Sequence, residues 1–475
     1  MRPLQICDSD GHGGAARAAR RLHRGLLALG QGSAMLVREK HTTDPEVFAA
    51  RLDKSAAARR QQQRLKWIEK YWIKPHRTEL SNSCFSLPGF GYDLSQNPQV
   101  LDCDVLNLHW VSGFLSPPAV ARLQQTGRPL FWTLHDQRAF TGGCHFSAGC
   151  RGYETSCARC PQLADDRLEL AAAGLRESAR SINAQEIVVV CPSRWLAACA
   201  RRSALFAQGT IEIIPNGIET RVFQPLPKAA ARRQLGLDPD AIYFLFGADN
   251  LQEKRKGIGE LRDILKMALA AGNFQALCFG NSRRQMDDFG VPVNCLGRID
   301  DDAQLARIYA AADAFLLPSL EDNLPNTMLE AMACGTPVIG FDIGSLPEAI
   351  TPQETGLLAP AFDLARFAEL IGAFSRDQIG RKRMSENCAR LIPDRFSMEI
   401  QARRYLEVYQ RALEGKDRAF AGQSDGRASR LVPPTPEFGR ICDALLPLAK
   451  RERRAARWKN LKRLIAGGEP EKRTG

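Results

Sequence analysis

The densest chemistry in the sequence lies between Pro318 and Pro337, PSLEDNLPNTMLEAMACGTP. Asp322 and Glu330 stand eight residues apart, both acceptor-only groups suited to sugar and ribose hydroxyls. Between them Asn323, Leu324, Pro325, Asn326 and Thr327 form a polar loop running into a helix that begins near Pro325 or Asn326, because Pro suits a first helical turn and Asn a cap. Amides at such a helix start face an anion. A second phosphate-type loop, Gly11-His12-Gly13-Gly14-Ala15-Ala16, follows the first apolar run. It satisfies G-x-G-x-x-A, with Glu39 near the end of the next strand, so a nicotinamide-dependent oxidoreductase is one reading and a ligand-free tight turn another. His109 and His135 each follow a strand-like run, which puts both at a sheet's C-terminal edge; His23 falls inside a helix as an ordinary packed or surface residue. Cys144, Cys150, Cys157 and Cys160 crowd a Gly-bearing loop over 142–162. Four thiolates in one short loop suit a structural tetrahedral zinc, with free thiols or an iron–sulfur cluster as alternatives.

These residues need elements to position them. Strand-length apolar runs at Leu4–Cys7, Ser33–Val37, Val105–Leu108, Leu130–Leu134, Ile187–Val190 and Ile211–Ile214 alternate with helical patterns, the first over Ala15–Leu29. A second series follows at Tyr243–Gly247, Gln275–Phe279, Ala314–Leu317 and Pro337–Phe341. Alternation of this kind implies parallel sheets with right-handed crossovers, an α/β protein of two doubly wound units facing across a cleft. The expected division is 1–227, 228–400, a helix over 401–415 packing back on the body, and a basic, partly flexible tail over 416–475.

The chain has 475 residues, 44% apolar and 25% charged, ordinary for a globular protein of two or three domains. No run is long and apolar enough to span a membrane, and no secretory h-region opens the chain, which points to the cytoplasm. Of the +12 net charge, 51–79 carries +6 and 416–475 carries +8, leaving the remainder near −2. A nucleic-acid partner is therefore not expected of the body. Each basic segment has an apolar stripe: Leu65, Ile68 and Trp72 among Arg64, Lys66, Lys70 and Lys74, and Trp458, Leu461 and Ile465 among Arg454, Arg457, Lys459, Lys462 and Arg463. Such helices suit the anionic inner face of a membrane. The alternative is a solvated helix packed on its own domain and a loose tail.

The Pro318–Pro337 stretch resembles the nucleotide-sugar site of the family 4 retaining glycosyltransferases, which have the GT-B fold. The resemblance spans about residues 1–415 and includes Gly13-Gly14, Asn107-Leu108-His109-Trp110, Thr133-Leu134-His135-Asp136, Pro192-Ser193-Arg194-Trp195, Pro215-Asn216-Gly217-Ile218, Arg255-Lys256-Gly257 and Gly344-Ser345-Leu346-Pro347-Glu348. The DNLPNT wording and the HD…GGCH segment are similar to an exopolysaccharide and colanic-acid-type subgroup. The resemblance implies a UDP- or GDP-sugar donor, a glycan or lipid-linked acceptor, and no cofactor for catalysis. It implies that His135 contacts the donor sugar, with His109, Trp110 and Asp136 on the acceptor side. Two residues depart from the family pattern: Asp322 stands where Glu is usual, with Glu321 one residue off register, and Gly247-Ala248 replaces the usual Gly-Arg, leaving Arg255 and Lys256 to meet the diphosphate. A sugar-nucleotide epimerase and a non-catalytic, membrane-docked assembly protein with a degenerate site are the remaining alternatives.

Overall fold

A computed structural model describes residues 1–11, 13–281, 289–414 and 426–465, the side chains of 271 and 459–465 excepted. Strands in the first half are β1 (Pro3–Ser9), β2 (Ala34–Glu39), β3 (Val47–Ala49), β4 (Gly91–Tyr92), β5 (Val105–Leu108), β6 (Leu130–Thr133), β7 (Ile187–Cys191) and β8 (Thr210–Ile213). Those of the second are β9 (Tyr243–Asn250), β10 (Gln275–Asn281), β11 (Val293–Cys295), β12 (Ala314–Leu317), β13 (Val338–Phe341), β14 (Gly356–Ala359) and β15 (Leu431–Val432). Seven form a parallel sheet in the order β3-β2-β1-β5-β6-β7-β8, and six form another in the order β11-β10-β9-β12-β13-β14. An antiparallel ribbon pairs β15 with β4. The central strands carry unbroken buried runs, as in Val105–Leu108 and Ala314–Leu317, because helices cover both faces of each sheet.

In each sheet the strand order reverses once, between β1 and β5 and between β9 and β12. Loops leaving the C-terminal ends of strands on either side of such a reversal diverge and open a crevice. The four loops concerned hold Gly13, then His109 and Trp110, then Arg255 and Lys256, then Asp322 to Pro325, while His135 and Asp136 follow β6.

Two helices exchange places near the end of the body. Gln378–Phe396 packs on Asn326–Ala333 of the second unit, then Ser397 caps the helix Met398–Leu413 by accepting from Ile400 N (3.3 Å). That helix lies on Gly14–Ala28 of the first unit, burying Tyr405 and Tyr409 with Leu22 and Leu26.

The basic segments depart from expectation. Ala56–Ile68 and the helix Pro436–Ile465 pack on each other, and Ile68, Trp72 and Ile73 share a core with Phe438, Cys442, Leu445 and Ala449. Arg453 stacks on Trp67 at 4.6 Å, and Arg64 pairs with Asp443. The first apolar stripe is therefore spent on the C-terminal helix, and residues 436–458 are docked rather than loose. Trp458, 62% exposed, is the described part of the second stripe; the side chains of Leu461 and Ile465 lie outside the described residues, as does 415–425. Among the described residues no helix is long and apolar enough to cross a membrane.

Candidate active site

The loop after β9 and the loop after β12 meet at Asp322. Arg255 Nη1 donates to its Oδ1 at 3.0 Å, Lys256 Nζ to its Oδ2 at 2.7 Å, and Ser319 Oγ to Oδ2 at 3.2 Å. Burial opposes the Asp322 charge, but Lys256 and Arg255 outweigh it and hold its carboxyl below the usual carboxylate range. Burial, then the neighbouring Arg255, pulls Lys256 below the ordinary lysine value, while Asp322 works the other way. Gly257 makes the meeting possible: it has φ 68°, and a Cβ there would stand 1.9 Å from Pro318 O. Two cations thus sit in a nearly dry pocket, opposed by one nearby loop carboxylate and, for Arg255, by Glu253.

The other side of this pocket is built by the first unit. Arg255 lies over the Phe146 ring at 4.5 Å and its N–H donates to Asn82 O at 3.0 Å. Glu321 accepts from Ala148 N (2.8 Å) and Asn82 Nδ2 (3.1 Å). Phe146 and Ala148 belong to the loop over 142–162, so that loop walls the Arg255 pocket, a role its cysteines did not announce. The four sulfurs line one cavity with Phe85 and Tyr153, as free thiols. Burial raises the Cys144, Cys157 and Cys160 thiols, Cys157 to about 12. Among the described residues no group of three or more His, Cys, Asp or Glu is placed to hold a metal ion.

Asn326 opens the helix Asn326–Ala333, with Pro325 as its cap residue at the expected place. Its Nδ2 donates to Gly14 O at 2.9 Å, joining that helix start to the glycine loop, where Gly13 (φ 86°) precedes the helix Gly14–Ala28. Thr327 follows in the first turn, half-buried, and Leu324 is buried. Asn323 links three segments: its Oδ1 accepts from Ser193 Oγ (2.7 Å), its Nδ2 donates to His135 O (3.3 Å), and its O accepts from Ser345 Oγ (2.6 Å). Glu348 accepts from Arg194 N and Trp195 N, both at 2.9 Å, capping the helix Arg194–Arg202 across the cleft.

Glu330 is 1% exposed and held by residues the sequence reading missed. Arg17 Nη2 lies 3.1 Å and Arg21 Nη2 2.9 Å from its Oε1, and Tyr309 OH donates to Oε2 at 3.2 Å. Arg17 also meets Asp302 at 2.8 Å, and Arg21 meets Glu219. Burial opposes the Glu330 charge, yet Arg17 and Arg21 hold its carboxyl below the ordinary range. Arg17 and Arg21 sit at i and i+4 on the helix following the glycine loop, a spacing that puts both guanidinium groups on one face.

At the end of β6, His135 Nε2 and His109 Nδ1 are 3.0 Å apart, and His109 Nε2 is 2.9 Å from Gln5 Oε1. Gln5 Oε1 can only accept, so His109 carries its proton on Nε2 and takes a hydrogen bond on Nδ1 from His135 Nε2. His135 Nδ1 is left as the lone-pair nitrogen. Burial pushes the His135 imidazole down to about 4 and His109 well below its usual value, so both are neutral at pH 7. Asp136 behaves oppositely: its Oδ2 lies 2.7 Å from His145 Nδ1 and accepts from Trp110 Nε1 at 3.0 Å. Burial weighs against a charged His145, but Asp136 prevails and lifts it to about 10. Asp136 and His145 are therefore a buried ion pair that also fixes the Trp110 indole. His145 lay in the sequence within GGCH, nine residues after Asp136, with no spacing that marks a pair. Glu39, the acid of the dinucleotide reading, is engaged at 3.2 Å by Arg38.

Residues 243–377 match the family described as glycosyl transferases group 1. A D-inositol 3-phosphate glycosyltransferase of Segniliparus rotundus is 32% identical over 221 residues, 43% of this chain and 48% of that protein. A GDP-mannose-dependent monoacylated alpha-(1-6)-phosphatidylinositol monomannoside mannosyltransferase of Corynebacterium glutamicum is 29% identical over 256 residues, 50% of this chain and 65% of that one. The chain spans about half the length of the D-inositol 3-phosphate glycosyltransferases it matches. Among solved structures, sucrose-phosphate synthase from Thermosynechococcus elongatus superposes with TM-score 0.60 at 20% identity, covering 88% of this chain and all of that one. The Anabaena protein HepE in complex with UDP-glucose gives 0.57 at 16% identity, over 86% of this chain and 100% of that one. The fold is GT-B, as the strand alternation and the resemblance both led us to expect. That family match lies wholly within the second unit. The curated relatives named are inositol-phosphate and phosphatidylinositol-mannoside enzymes, so the likeness is broader than an exopolysaccharide subgroup.

Proposed function

We propose that the protein transfers a sugar from a nucleoside diphosphate to a hydroxyl of a glycan or lipid-linked acceptor, with retention at the anomeric carbon. One observation carries this reading: Arg255 and Lys256 converge on Asp322 in a buried pocket beside the start of the Asn326 helix. A diphosphate brings more charge than a single carboxylate, so it competes with Asp322 for both cations. As the bond to the sugar breaks, negative charge grows on the leaving oxygen. Preorganised donors in a dry pocket stabilise it, each worth about 2.7–4 kcal/mol in comparable sites. Neutral His135, its proton directed to His109, offers Nδ1 as an acceptor for a donor-sugar or acceptor hydroxyl. Asp136 is held by His145 and Trp110, and Glu330 by Arg17, Arg21 and Tyr309, so neither carboxylate is free to act as a nucleophile. Same-side attack follows, in which the departing phosphate oxygen takes the acceptor's proton. Incubation with UDP- and GDP-sugars tests this, through release of the nucleoside diphosphate and the anomeric coupling of the product by NMR. Inversion, or release at the rate of the buffer alone, contradicts it.

The sequence likeness to exopolysaccharide enzymes supports a polymer or lipid-linked acceptor made at the inner face of a membrane. The paired helices support an electrostatic contact there, since Arg59, Arg60, Lys66, Lys70, Lys74, Lys450, Arg451, Arg454 and Arg457 remain exposed after their apolar residues are buried. Binding to vesicles containing phosphatidylglycerol should fall steeply with added salt. Salt-independent binding contradicts that contact.

A further inference from the structure

Next to His135 the first unit holds a cavity of about 50 Å³ that the donor pocket does not use. Its walls mix apolar side chains, Trp110, Leu115, Val120 and Trp132 among them, with the polar His135, Asp136 and Arg138. Two polar side chains on that wall have buried atoms without hydrogen-bond partners, Ser116 Oγ and Arg138 Nε. Ser116 is 2% exposed and is the cap residue of the helix Pro117–Gln124, yet its hydroxyl makes no capping bond. Pro118 supplies no N–H at the second helical position, one of the two from which a cap hydroxyl accepts. Burial works against the Arg138 charge, and Asp136, Cys144 and Glu69 are the groups that favour it. Asp136 is already paired with His145 and Trp110, and Glu69 accepts from Leu87 N at 3.2 Å. Arg138 is thus a planar donor fork on this wall, and its backbone N donates to Asp136 Oδ1 at 2.9 Å. Guanidinium forks in such surroundings match carboxylate and phosphate oxygens.

We propose that the acceptor bears an oxyanion, a phosphate or a carboxylate, seated on Arg138 with the Ser116 hydroxyl beside it. This rests on the glycosyl-transfer reading and adds a specificity-determining residue to it. The anion anchors the acceptor against Trp110 and Trp132, and its reacting hydroxyl projects past His135 toward the donor pocket.

Tryptophan fluorescence tests it, because Trp110 and Trp132 line the cavity. Full-length protein, and a Lys256→Ala form that weakens the diphosphate site, are titrated with glucose 6-phosphate, glucuronate and glucose. A saturable change is expected with glucose 6-phosphate or glucuronate in both forms and not with glucose; whichever anion saturates identifies the group. Arg138→Gln should weaken it by about tenfold or more and Ser116→Ala by less, Ser116→Ala standing alone should Arg138→Gln not fold. Equal binding of glucose, or titration of Arg138→Gln like the parent, overturns the proposal. UDP and GDP titrated in parallel keep the two ideas apart. Nucleotide binding retained in Arg138→Gln places any loss in the cavity, whereas nucleotide binding absent from the parent defeats the transferase reading itself.

Discussion

Replacing Glu330 by Gln keeps its shape and removes its charge from a site where two arginines converge. Arg21 is as buried as Glu330, with side-chain exposure of 2% each, whereas Arg17 retains 21%. Each arginine keeps a second carboxylate, Asp302 for Arg17 and Glu219 for Arg21, so neither is left wholly unpaired. Removing one member of a buried pair costs about 3–5 kcal/mol when its partner is stranded. The remaining carboxylates place Glu330→Gln at the lower end, about 3 kcal/mol. Glu330 is held below the usual carboxyl range, so its contribution is complete above the unfolded value and is lost as pH falls through the folded one. The difference between parent and variant should therefore be full at pH 7 and shrink in acid. Urea unfolding followed by circular dichroism at pH 7 and near pH 3 measures both. A variant as stable as the parent at pH 7, or a gap that widens in acid, would refute the reasoning.

Three further outcomes follow. Gly257→Ala should weaken nucleotide binding by calorimetry and lower the melting temperature, since a methyl there would sit 1.9 Å from Pro318 O at φ 68°; an unchanged variant would mean the 251–257 loop does not need this approach. His23 and His135, both lowered to about 4, bind protons only on unfolding between about pH 6.5 and 4, so stability should fall as pH drops through that window, whereas His145, raised to about 10, contributes stability that is full below about pH 6.5 and is lost as pH rises from there through about 10. Nitrogen-detected NMR at pH 8 should find both His145 ring nitrogens protonated and His135 neutral. Trp72→Ala should loosen the C-terminal helix and speed its removal by trypsin, with the ends of the chain read by mass spectrometry; cleavage at the parent rate would contradict the shared core.

Much of the scaffold was legible because buried parallel strands announce themselves. Val105–Leu108 and Ala314–Leu317 were placed to the residue, and the Asn326 helix was bracketed by Pro325 and Gly335. Short edge strands such as Val47–Ala49 and Val293–Cys295 were not seen, since three residues give no period and an edge need not be apolar. Asp322, Arg255 and Lys256 were found individually, but their mutual neutralisation was not, because sequence does not say which charges meet. The arginines on Glu330 and the His145 partner of Asp136 escaped for the same reason, one set lying more than three hundred residues away. The basic segments show a different limit: an apolar stripe fits a partner helix as well as a membrane, and tertiary packing gives Leu65, Ile68 and Trp72 of the first stripe to the C-terminal helix.

The central claim is that Arg255 and Lys256 bind a nucleoside diphosphate in place of Asp322. Calorimetric titration of UDP and GDP into the parent and Lys256→Ala tests it most directly. Saturable binding of one nucleotide by the parent, weakened in the variant by about 10- to 100-fold as expected for a lost charged hydrogen bond, is the result this account requires. No binding of either nucleotide, or equal affinity in both proteins, would contradict it.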